Sequence, residues 1–166
     1  MDTVLAITSR RETRDYADRP IPDQVANRIL DAGRLAGSAR NRQPWRFVLV
    51  ESADRRERLA DAVYEPGNIR GAKLVVAVVG RPGLDVGRCA QNMLLAAWNE
   101  GVGSCPNGLR APEDAQRVLS LDADEQIAIV LTFGYPAHER DPHQHTAEEW
   151  SERANRKPLD ELVERV

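Results

Sequence analysis

Three arginines fall within five residues near the start of the chain, in Ser9-Arg10-Arg11-Glu12-Thr13-Arg14. Guanidinium groups stay charged at any working pH and grip phosphate or carboxylate through paired, parallel hydrogen bonds. Arg10, Arg11 and Arg14 therefore make a candidate wall of an anion site. The run also reads as a solvated helix end, because a helix C-terminus favours cations and charge runs commonly face water. A second stretch, Ser38-Ala39-Arg40-Asn41-Arg42-Gln43-Pro44-Trp45-Arg46-Phe47, weighs toward a site. No nucleophile elbow of the Gly-x-Ser-x-Gly type occurs, and no Ser/His/Asp or Cys/His set stands out. His138, His143 and His145 sit in a polar stretch without carboxylates or thiols at ligand spacing, so neither a catalytic residue nor a metal ligand is assigned.

The 166 residues suffice for one domain with a real core. A net charge of -3 gives no basic field for nucleic acid. Of the 23 basic residues only Lys73 and Lys157 are lysine, so local arginine clusters need more than composition to carry meaning. Cys89 and Cys105 form no Cys-x-x-Cys pair, and Cys89 falls in an apolar helical pattern that suits a buried free thiol. No charged-then-apolar leader is visible and no apolar run approaches membrane length, so a soluble cytoplasmic protein is expected, with no membrane or nucleic-acid partner.

The elements that must position these groups follow from periodicity. Residues 2–10 predict a helix with Val4, Leu5 and Ile7 on its buried side. Asp23 to Ala36 carries a stripe of Val25, Ile29, Leu30, Ala32 and Leu35, with Pro22 suited to the first helical position. Trp45–Val50 predicts a strand, with Trp45 in the core, and Asp54–Tyr64 a charged helix on which Arg55, Arg56 and Arg58 form a solvated face. Glu65-Pro66-Gly67-Asn68 reads as a turn. Leu74–Val79 is β-branched throughout and predicts a strand buried on both faces. Asp85–Asn99 is apolar around most of its circumference and ends at Gly101 and Gly103. A short helix over Glu113–Leu119 and a third strand over Ile127–Phe133 complete the body. Gly80-Arg81-Pro82-Gly83 lacks the three-glycine dinucleotide fingerprint. The order is α+β, a small sheet covered by helices: residues 1–136 form the core and 137–166 an arm, available to add a strand, as to a partner subunit. Trp150 in the arm is expected to pack on that partner.

Taken in order, Arg10-Arg11-x-x-Arg14, Ser38-x-x-Asn41-x-Gln43-Pro44-Trp45-x-Phe47, Gly101-x-Gly103-Ser104-Cys105-Pro106-x-Gly108, Phe133-Gly134-Tyr135-Pro136 and Arg156-Lys157-Pro158-Leu159 resemble the FMN-dependent nitroreductase family over nearly the whole chain. The resemblance implies a homodimer with a small, mainly antiparallel sheet, an exchanged C-terminal arm and FMN at the subunit interface. It implies that Arg10, Arg11, Arg14 and Arg156 meet the FMN phosphate and ribityl chain. Ser38, Ala39, Asn41 and Gln43 would come from the other subunit to line the flavin. The Pro106-Asn107-Gly108 turn would present a backbone N–H to flavin N5. NAD(P)H, as NADH or NADPH, would reduce the flavin, and a small oxidised acceptor (nitroaromatic, quinone or enone) would then take its place, with no dedicated side-chain acid or base.

The chain departs from the family's pattern in places. Glu12 stands where a small hydroxyl residue is common, and a carboxylate beside a phosphate should turn away or pair with an arginine. Ala154 stands where a second basic residue is frequent, leaving Arg153 as a substitute. Only a turn separates the Asp54–Tyr64 helix from the Leu74 strand, where many relatives carry a helical excursion over the flavin. Asn68 or Arg70 is an alternative polar contact there. These departures keep open a second reading, a flavin- or deazaflavin-binding module without NAD(P)H turnover of its own.

Overall fold

A computed structural model describes residues 1–166. Seven helices and four strands follow in the order α1 (Thr3–Ser9), α2 (Asp23–Arg34), β1 (Arg46–Leu49), α3 (Ala53–Ala60), α4 (Pro66–Gly71), β2 (Leu74–Val79), α5 (Leu84–Asn99), β3 (Gly103–Asn107), α6 (Pro112–Val118), β4 (Ile127–Gly134) and α7 (Ala147–Arg153). They divide into two units, Arg11–Glu139 and Met1–Arg10 with Arg140–Val166. No helix is long and apolar enough to cross a membrane.

In the larger unit the four strands form one antiparallel sheet in the order β1-β2-β4-β3. β2 is central, and its side chains alternate between two apolar layers. Val75 and Ala77 join Leu59, Ile69, Ala115 and Val130. Val76 and Val78 join Ile29, Met93, Leu131 and Phe133. Helices α3, α4 and α6 contribute to the first layer, while α2 and α5, packed on each other, form the second. A strand covered on both faces has no polar position to offer, which is why β2 is apolar without a break. Removing Leu59 or Met93, each fully buried, should cost about 2–5 kcal/mol.

Three expectations are corrected here. The fourth strand is β3, in residues read as a helix end and a turn, and the arm adds no strand to the sheet of its own chain. Gly-Ser-Cys-Pro-Asn shows no apolar alternation, and Pro106 is tolerated because β3 is an edge strand, with β4 on one side and only a single bridge from Glu12 to Ser104 on the other. Residues 66–71 are not a bare turn but the helix α4, with Pro66 in its first turn. The preceding helix stops at Ala60, after which Val63 bridges to Leu109.

In the smaller unit α1 packs on α7. The Asp2 carboxylate accepts from the N–H groups of Val4 and Leu5, both at 3.0 Å, which fixes the start of α1. A capping box of Thr146 and Glu149 starts α7. Trp150, expected against a partner, donates its indole N–H to the Pro142 carbonyl at 2.8 Å and meets the edge of His145. α1 buries Leu5, Ala6 and Ser9, whereas Val4 and Ile7 are more than half exposed. Its apolar face is therefore wider than its own unit covers. Leu35, beyond α2, is exposed as well.

Candidate functional site

The segment that follows α1 is stitched along the free side of β3. Thr13 donates its N–H to the Ser104 carbonyl at 2.9 Å, and Glu12 forms a parallel bridge with Ser104. Farther on, Ala17 N–H reaches the Tyr135 carbonyl and Ala137 N–H the Asp15 carbonyl, at 2.8 and 3.0 Å. Two glycines admit the side chains of this segment. A Cβ on Gly103 would collide with the Thr13 side chain, and one on Gly134 would fall 2.7 Å from the Tyr16 ring. With Thr13 and Tyr16 turned inward, Arg14 is exposed and Arg11 half-buried. The Glu12 carboxylate and the Arg14 guanidinium both reach the Cys105 thiol, which burial and Glu12 push above its ordinary value. A cation beside Glu12 moderates the repulsion its carboxylate would offer an anion.

Beyond Ser104, Pro106 and Gly108 are exposed on β3 and just after it, while Asn107 points inward and is 3% exposed. The Asn107 amide donates to the carbonyls of Cys105 and Val130 at 2.9 and 3.2 Å and to Thr132 Oγ1 at 3.1 Å. Its Oδ1 accepts from Asn68 Nδ2 at 2.7 Å. The side chain is therefore fully engaged by the protein, and at this position the main chain is what a ligand can meet. Gly108 lies outside the left-handed region, and its carbonyl accepts from Tyr64 N–H at 3.2 Å.

The Ser38–Gln43 stretch is a loop at the start of β1, with a single 3-10 turn at Ala39–Asn41. Arg40, Asn41 and Gln43 all have φ near +50°, the left-handed region that non-glycine residues seldom enter. Such strain persists only where surroundings over-determine it. The Ser38 hydroxyl accepts from Gln43 N–H at 2.8 Å, the Asp85 carboxylate accepts from Ala39 N–H at 3.1 Å, and Gln43 Nε2 bonds the Asn41 carbonyl and side chain. Ala39, Asn41 and Gln43 remain exposed.

The chain thus brings together Arg11, Arg14 and Pro106–Gly108, all on the β3 side of the sheet. It does not bring Ser38–Gln43 to them. That loop leads into β1, and β2 and β4 lie between β1 and β3. At about 4.8 Å per strand spacing, the two edges are on the order of 14 Å apart. In the smaller unit, Arg10 caps the C-terminus of α1, donating its N–H to the Ala6 carbonyl at 3.2 Å, and Arg156 is exposed just past α7. Asn68, read as a turn residue or a flavin contact, is 4% exposed on α4 and holds Asn107. Arg70 pairs with Glu57 and Asp61. Sequence reasoning passed over Tyr16, Thr132 and Asp85, which order the candidate site from behind; their partners lie far away in the chain, so no local pattern marked them.

Residues 7–83 and 80–135 match the model of the Nitroreductase family. A candidate NADH dehydrogenase/NAD(P)H nitroreductase of Archaeoglobus fulgidus is 32% identical over 149 residues, covering 81% of this chain and 86% of that protein. An NADH dehydrogenase of Thermus thermophilus is 25% identical, with 86% of this chain and 90% of the relative covered. Among solved structures, a nitroreductase family protein from Clostridium difficile 630 superposes with a TM-score of 0.82 at 25% identity, over 99% of this chain and 98% of that one. The arginine segment, the strained loop and the small antiparallel sheet between two helical layers belong to a chain of known lineage: it is a member of the nitroreductase family.

Proposed function

We propose that the protein is an FMN-dependent oxidoreductase that works as a homodimer, carrying electrons from NADH or NADPH to a small oxidised acceptor such as a nitroaromatic, quinone or enone. The observation that carries this reading is the separation of the two halves of the site. Guanidinium groups and an open main-chain edge lie at β3, while the exposed amides of Asn41 and Gln43 lie beyond the opposite edge. One copy cannot close a ring-sized site with both, whereas two copies can each lend the loop to the other. The exposed apolar residues of α1 and of the arm, Val4, Ile7, Leu159 and Leu162, support such an association.

The donor set fits FMN. Arg10, Arg11, Arg14 and Arg156 supply forks for a phosphate. Ser38, Ala39, Asn41 and Gln43 supply hydroxyl, main-chain and amide groups for a polar ring edge. Pro106, Asn107 and Gly108 supply main chain at an exposed edge. Bound there, the flavin supplies two-electron chemistry, so the protein's part is to hold it, to stabilise negative charge on it electrostatically, and to leave one face open for donor and acceptor in turn. The proposal includes a cytoplasmic setting, which suits two unpaired thiols.

The test is spectroscopic. The purified protein, alone or after adding FMN, should be yellow, bleach anaerobically with NADH or NADPH, and recolour with menadione. A yellow protein that neither nicotinamide bleaches is a binding module instead. A protein that takes up no FMN removes both readings.

A further inference from the structure

The β2–α5 connection, Gly80-Arg81-Pro82-Gly83, and the first turns of α5 have no part in the chemistry proposed above, yet they touch the strained loop at three points. At its start, an Arg88 guanidinium nitrogen lies 2.5 Å from where a Cβ on Gly37 would stand. In the middle, Asp85 accepts the Ala39 N–H at 3.1 Å. At its end, the Pro44 carbonyl occupies the space a Cβ on Gly80 would need, and Gly80 itself has φ +156°. Arg88 and Asp85 also approach each other, at 4.0 Å.

We propose that this connection is a clamp that sets the shape of the flavin-facing loop, with Asp85 as its positioning residue. The inference rests on the flavin reading. Three left-handed residues between Gly37 and Pro44 need an external mould, because the hydrogen bonds inside the loop, Asn41 N–H on the Ser38 carbonyl, Arg42 N–H on the Ala39 carbonyl and Gln43 on Ser38 and Asn41, tie it only to itself. Asp85 ties the first half of the loop to the body by a hydrogen bond, through a charged acceptor, from the first turn of the longest helix. It touches no ligand in this scheme; it acts by fixing where Asn41 points.

Asp85→Ala removes the acceptor, whereas Asp85→Asn keeps one. FMN affinity of each variant is read by quenching of flavin fluorescence, beside deuterium exchange of the ligand-free protein over 37–44 and over β4. Asp85→Ala should raise the FMN Kd about tenfold, the loss expected for one charge-assisted hydrogen bond. It should speed exchange over 37–44 alone, and Asp85→Asn should restore most of both. Unchanged exchange over 37–44, or equal acceleration over 37–44 and β4, overturns the clamp. Faster exchange confined to 37–44 with FMN affinity unchanged overturns the link from clamp to cofactor. If the unaltered protein binds no FMN, the flavin reading fails by itself, while the exchange data still judge the clamp.

Discussion

Asn68 donates its side-chain amide to Oδ1 of Asn107 at 2.7 Å, joining α4 to β3 beside the apolar layer of Leu59, Ile69 and Val130. Asn107 passes the connection on to Thr132 and to the Cys105 and Val130 carbonyls. A buried acceptor that loses its donor incurs its full desolvation cost. Asn68→Leu should therefore destabilise the fold by about 2–3 kcal/mol, seen as a lower urea midpoint with an unchanged m-value. Replacing both asparagines by leucine should cost less than the two single changes combined, because each single change strands the other partner.

Tyr16 closes the far end of the same network, its hydroxyl 3.0 Å from Thr132 Oγ1. Burial pushes its phenol well above the ordinary tyrosine range, a shift opposed by the Thr132 hydrogen bond. The folded state then keeps a proton that the unfolded state loses once pH passes about 10, so stability should fall as pH rises beyond that point. Tyr16→Phe should flatten this decline while costing about 1 kcal/mol at neutral pH. Denaturant titrations at pH 8 and pH 11 on both proteins measure the difference.

Cys89 and Cys105 are free and buried. Burial alone pushes the Cys89 thiol up to about 11. Since the thiolate is the reactive form, neither residue should react with a disulfide reagent at pH 8 in the native protein, and both should react in guanidinium chloride. Rapid labelling of the folded protein would contradict the packing around them.

Local pattern and long-range pairing explain which parts of this fold could be read in advance. β2, β4 and α5 were legible because an apolar run or a continuous helical face is a property of the segment itself. β3 was not, because Gly103–Asn107 is a strand only by virtue of β4 on one side and Thr13 on the other. The same holds for Asn68 and Tyr16, whose partners lie 39 and 116 residues away. On α1 the helix was legible but its buried side was not, since Val4 and Ile7 are apolar and yet face outward. The arginines and amides of the candidate site were visible as residue types. That they occupy opposite edges of the sheet required the strand order.

The proposed function gives the arginines a phosphate to hold, and that proposal separates two flavins that differ only there. Arg14→Ala and Arg156→Ala should each weaken FMN binding by about tenfold, the scale of one charge-assisted contact, and leave riboflavin affinity unchanged. Equilibrium dialysis with both flavins reads the contrast. Equal loss for both would place these side chains away from the phosphate, and Glu12→Ser, which removes a nearby carboxylate, should shift FMN affinity in the opposite direction from Arg14→Ala.

The proposed association of two copies makes the last demand on the surface. Ile7 is 57% exposed on α1 although it lies in the stripe expected to be buried, and Leu159 and Leu162 on the arm are exposed as well. Were the protein monomeric, these side chains would face water at a cost of about 1.5–3 kcal/mol each relative to burial. Sedimentation of the unaltered protein should give twice the chain mass of 18.5 kDa. Ile7→Asp sets a charge in the proposed contact, where desolvation without a partner is expensive. It should shift the protein toward the single-chain mass and weaken FMN uptake in parallel, since each site would lose the loop lent by the other copy. A variant that is monomeric and still binds FMN at full affinity would show that one chain closes the site alone.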